Sequence, residues 1–164
     1  MDYFTKTIVV HQVETGFSIP NKPLSAICRL EREDGIFRCY LSTSNLIIKE
    51  SGKFYFCIVD KKNQSYFFEI NNTNSMLFTF PTLPDLETDF ACGIYFENSN
   101  IPLLIAFTKT EKGISLTDFK KMLYDKYIKN TVHIDYKENI KEPTNDNETK
   151  EEKIEALENI KKLY

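Results

Sequence analysis

An Asp34-Gly35 pair stands between two runs in which apolar and polar residues alternate, residues 27–33 and 36–42. Asp-Gly in that setting predicts a two-residue type I′ turn, because both central positions need a positive φ that Asp tolerates and Gly adopts freely. The turn fixes a register: Glu33 opposite Ile36, Glu31 opposite Arg38, Leu30 opposite Cys39 and Cys28 opposite Leu41. Side chains alternate between sheet faces, so Cys28, Leu30, Phe37, Cys39 and Leu41 share one face, with Arg32 near the turn. Arg29 opposite Tyr40 and Glu31 opposite Arg38 occupy the other. The first face reads as core, and the second as a partly wet surface carrying a cross-strand ion pair and a cation–aromatic neighbour.

The rest of the chain to about Lys109 continues in strands. Phe4–Val13 alternates loosely until Gly16, Pro20 and Pro23 interrupt it. The second hairpin strand is expected to continue through Leu46, Ile47 and Ile48. Strands follow at Lys53–Asp60, Tyr66–Ile70, Met76–Phe80, Phe90–Phe96 and Ile101–Lys109, separated by polar turns such as residues 61–64 and 71–74. Many short strands with nothing helical between them exclude βαβ crossovers. The pattern predicts a mainly β fold, an antiparallel β-sandwich of about seven to nine strands.

The character changes after Lys109. Ser115 with Asp118 three residues later opens a predicted helix over 115–129, its apolar stripe made of Leu116, Phe119, Leu123 and Tyr127 and expected to pack on the sheet. Thr131–Tyr136 reads as a short extra strand, completing a domain over residues 1–136. Residues 137–148 form a polar linker containing Pro143. A second capping pair, Thr149 and Glu152, opens an amphipathic helix over 149–164 with Ile154, Leu157, Ile160 and Tyr164 on one side. A helix this short is marginal alone, so that stripe is a candidate partner-binding surface, for another protein or for a second copy.

Composition narrows the classes of function. The formal net charge of −3, with no clustered basic face, argues against nucleic acid as a partner. No stretch approaches the roughly 18 apolar residues of a membrane span, and the N-terminus lacks the basic start and apolar run of a signal peptide. The chain is therefore expected in the cytoplasm. Cys28, Cys39, Cys57 and Cys92 are irregularly spaced within strand-like runs, which predicts buried free thiols. Cys28 and Cys39 are diagonal in the hairpin register, a poor fit for a disulfide. Neither His11 nor His133 lies near a cysteine in sequence, so no metal site and no cofactor are predicted.

Catalytic signatures are missing too. There is no Gly-rich phosphate loop, no nucleophile elbow and no zinc-protease motif, and the chain has only five glycines. An enzyme of hydrolase type would need His11 to meet a carboxylate such as Glu14 or Asp89 in one pocket. Asp85, Glu87 and Asp89 are the densest local carboxylates, and their spacing suits either a hard cation or a solvated loop. Thirteen Phe and nine Tyr, without Trp, allow a glycan-binding alternative in which Tyr40, Tyr55 and Tyr66 offer stacking surfaces. Absence of site chemistry favours a non-catalytic interaction module.

Two stretches, residues 24–35 with their returning strand and residues 90–96 before Ile101, resemble the N-terminal β-rich domain of an uncharacterised protein family from AT-rich anaerobic Firmicutes. The closing residues 158–164 resemble the acidic helical connector that leads into a further domain in such proteins. The resemblance implies a β-rich module within a larger bacterial protein and implies no activity.

Overall fold

In the computed structural model, residues 3–71, 74–82, 84–98 and 101–126 are described. Eight strands form: β1 (Phe4–Gln12), β2 (Ser25–Glu33), β3 (Ile36–Ser44), β4 (Lys53–Val59), β5 (Ser65–Ile70), β6 (Ser75–Thr79), β7 (Ala91–Asn98) and β8 (Ile101–Lys109). All belong to one antiparallel sheet in the order β5-β4-β7-β8-β1-β2-β3-β6. The mainly β class and the strand number hold. The sandwich does not, because one continuous ladder curls into a nearly closed barrel. Alternating strands read the same in both architectures, since each has one buried face.

The two edge strands, β5 and β6, are chain neighbours joined through residues 71–74. They form no ladder with each other among the described residues, but their inward rings meet, with Phe68 and Phe78 stacked at 4.7 Å between centroids. Phe80 just beyond β6 adds edge-on contacts with Tyr66 and Phe68.

The β2–β3 hairpin adopts the register set by Asp34-Gly35, residue for residue. Asp34 and Gly35 have φ of 50° and 78°, as the type I′ turn requires. Cys28, Leu30, Phe37, Cys39 and Leu41 are all buried in the core. Asn21, Asn45 and Asn63 also take positive φ, so part of the Asn richness serves tight turns. Asn45 ends β3 at Ser44 instead of letting it run on to Ile48, and Leu46 makes only an isolated bridge with Ser18.

Both ends of the barrel are plugged. At the end holding the β2–β3 turn, the segment after β6 drops Phe80, Leu86 and Phe90 into the core. At the other end Phe17, Leu24 and Leu46 fill the opening, and Phe17 packs against Phe54 and Phe96. Gly52 lies so close to β7 that a Cβ there would sit 2.1 Å from the Glu97 carbonyl oxygen. The interior is packed with side chains, as small barrels of eight strands generally are.

The chain divides into two units between Leu116 and Thr117. A helix runs over 116–126, one residue inside the expected start, and Phe119, Leu123 and Tyr124 on it are buried. The expected continuation to 129, His133 with the strand at 131–136, the linker over 137–148 and the helix over 149–164 with Ile154, Leu157, Ile160 and Tyr164 lie outside the described residues. Among the described residues no helix is long and apolar enough to cross a membrane.

Candidate functional site

Three registers, β1 on β2, β2 on β3 and β3 on β6, line up the residues that point outward from this half of the barrel. One row is Val9, Ile27, Ser42 and Ser75. The next is Thr7, Arg29, Tyr40 and Leu77, and the third is Thr5, Glu31, Arg38 and Thr79. Large apolar side chains are left in water here: Ile27 is 50% exposed, Leu77 55% and Val9 42%. Arg29 and Tyr40 pack together between them, the guanidinium 4.5 Å from the ring centroid. Arg29 Nε also donates to Glu31 at 2.9 Å. The small Ser42 and Ser75 lie beside this pair and leave a groove of about 410 Å³, with Thr7 and Ile27 also on its lining.

The ion pairs on this face differ from the expected Glu31–Arg38 pairing. Glu31 takes Arg29, two residues away on its own strand, while Arg38 approaches Glu33 at 3.9 Å. Arg29 thus meets the Tyr40 ring and the Glu31 carboxylate together. Such exposed pairs contribute at most about 1 kcal/mol each, and their effect is to order the face.

The three tyrosines of the glycan alternative do not converge. Tyr40 points outward on β3. Tyr55 points outward on β4, five steps away in the strand order, stacked on Tyr95 at 5.0 Å. Burial together with the charges of Glu97 and Glu69 raises the Tyr55 phenol above its ordinary pKa. Tyr66 points inward and is 7% exposed, its hydroxyl donating to Gln64 Oε1 at 2.9 Å.

His11 is exposed on β1 with Ser25 directly opposite. No hydrogen bond joins them, and His11 forms no ion pair with Glu14 or Asp89 among the described residues. The Asp85–Asp89 loop is held from within. Lys61 N–H donates to the Asp85 carbonyl, and Asp85 N–H donates to Asp60 Oδ2 at 3.2 Å. Glu87 pairs with Arg32, whose guanidinium lies over Phe4. No group of three or more metal-ligating side chains occurs among the described residues.

Asp60 has a structural role that its place at the end of an alternating run did not signal. It is 1% exposed, and Oδ1 accepts from the Lys62 and Gln64 amides, both at 2.9 Å. One carboxylate thus fastens the β4–β5 turn to the loop that plugs the barrel.

The four cysteines are free and buried. Cys28, Cys39 and Cys92 face the interior, whereas Cys57 lies on the outer side of β4 with Tyr55 and Val59. The contact with Cys28 and then burial hold the Cys39 thiol well above its ordinary pKa, and burial does the same for Cys92. Reactive cysteines need the thiolate, so these have the character of core residues. No protein-family model, curated protein or solved structure matches the chain.

Proposed function

We propose that this chain is a non-catalytic interaction module that binds a protein partner through the outward face of β1, β2, β3 and β6. The observation that carries the reading is the cluster of Val9, Ile27 and Leu77 around the Arg29–Tyr40 pair, left exposed although the interior is filled. Apolar side chains rimmed by polar ones, with Tyr and Arg at the centre, have the make-up of energetically dominant interface positions. The stripe of Ile154, Leu157, Ile160 and Tyr164 is proposed as a second contact, with a partner or with another copy. A setting inside a cell and within a larger bacterial protein belongs to the same proposal. Four free thiols support the first part, and the sequence resemblance supports the second.

Capture from the native organism, with the full chain as bait, tests the face. Partners held by the unaltered chain should be lost with Leu77→Asp or Ile27→Asp and kept with Lys61→Asp, on the β4–β5 turn and outside the face. Partners retained by both face variants would refute the reading.

A further inference from the structure

We propose that the first half of β1 is an acceptor edge for an extended segment of a partner protein, and that Lys6 selects a segment carrying a carboxylate there. The proposal goes beyond the outer-face reading: that one rests on side chains, this one on backbone groups of the same strand.

From Phe4 to His11, every residue of β1 is paired with β2. On its other side β1 meets β8 at only two positions, His11↔Phe107 and Gln12↔Ala106. Just beyond, the Val13 and Glu14 amides donate to the Ile105 carbonyl at 2.9 and 3.2 Å. β8 meanwhile follows β7 as far as the Ala91↔Lys109 pair. β8 therefore stays with β7 and leaves β1, and the strands splay.

The direction of the orphaned groups follows from alternation. Gln12 N–H donates to Leu24 on the β2 side, whereas Val13 N–H donates to Ile105 on the β8 side. Counting back along an extended strand, Thr5, Thr7 and Val9 turn their N–H and C=O groups into the splay. No backbone partner meets them there among the described residues. Such a row is a template for strand addition.

The chemistry of the edge names its partner. Thr5, Thr7 and Val9 are β-branched and uncharged, with no proline and none of the outward charges that guard edges. The one guard points inward. Lys6 is partly buried, its Nζ 5.1 Å from the Phe90 ring centroid, and has no carboxylate partner among the described residues. An incoming strand with an apolar residue beside Lys6 would strip water from the ammonium and return nothing, whereas Asp or Glu would pair with it. A second copy fits poorly. Two β1 strands paired antiparallel about Thr7 would set Lys6 opposite Ile8, and β1 contains no acidic residue.

The test uses the full chain and two capped nonapeptides of alternating Val and Thr that differ only at the centre, Glu in one and Lys in the other. Amide hydrogen exchange is read at Thr5, Thr7 and Val9. These amides should exchange rapidly in the free protein and slow at least tenfold with the Glu peptide, which should bind at least tenfold more tightly than the Lys peptide. Lys6→Glu should reverse that order, and Lys6→Gln, which removes the charge and keeps a polar end, should erase it. Protected amides in the free protein, equal binding of both peptides, or binding of neither would overturn the proposal. Leu77→Asp should leave every one of these readouts unchanged, so failure of the edge and failure of the face are told apart.

Discussion

Cys28 and Cys39 bring their Sγ atoms to 3.2 Å inside the barrel although neither is opposite the other in the ladder. The contact with Cys28 and then burial hold the Cys39 thiol protonated, and burial does the same for Cys92. The folded state thus binds these protons more tightly than the unfolded chain does. The sign is fixed by that difference: the stabilisation is complete below the unfolded thiol pKa, about 8.5, and is lost as pH rises through the folded values. Between those limits the loss is at most about 1.4 kcal/mol per pH unit for each thiol. Urea midpoints should be flat from pH 7 to 8 and fall by pH 10, and Cys92→Ala should flatten the decline. In native buffer at pH 8 a disulfide-exchange reagent should find no rapidly reacting thiol, and in denaturant it should find four.

Asp60→Ala should destabilise the fold by about 2–4 kcal/mol, since three backbone amides lose their acceptor in a nearly buried site. Asp60→Asn keeps one carbonyl oxygen and should cost less. Chemical denaturation measures both, and a cost below about 0.5 kcal/mol, the size of an ordinary surface substitution, would contradict the role given to Asp60.

Two glycines should respond differently to alanine. At Gly52 the new Cβ meets the Glu97 carbonyl and the Phe96 ring, so β4 and β7 must separate, at a cost of about 1–3 kcal/mol. At Gly35 the space is open but φ is 78°, so only backbone strain opposes the change, about 1 kcal/mol. Thermal midpoints should rank the unaltered chain first, Gly35→Ala next and Gly52→Ala last.

Leu77→Asp should change stability by no more than about 0.5 kcal/mol, because the side chain is mostly in water on a short strand. Circular dichroism and urea melts should show the intact fold in the same variant that loses the proposed partner.

The legible part of the fold was the local part. Asp34-Gly35 specified nine residue pairs, because a two-residue turn leaves a hairpin no other register. The barrel was not legible, since closure depends on which distant strands pair, and β1 on β8 joins residues nearly a hundred apart in sequence. The site divides in the same way. Tyr40 and Arg29 were placed on the outer face by the hairpin alone, and Ile27 shares their parity. Val9, Thr7, Leu77 and Ser75 joined them only through the β1 and β6 pairings. Asp60 escaped notice because its partners come from residues 62, 64 and 85, two of them local but the third set by how the plug folds.

The strand order also bears on synthesis. One side of the barrel is β1, β2, β3 and β6, the other β4, β5, β7 and β8, so the chain passes between them three times. A ribosome has released β4 and β5 before the first side receives its last strand, and neither side can mature while the other waits. Cooperative acquisition of structure late in translation follows from that weave, and no cut near the middle of the gene would yield two self-sufficient products.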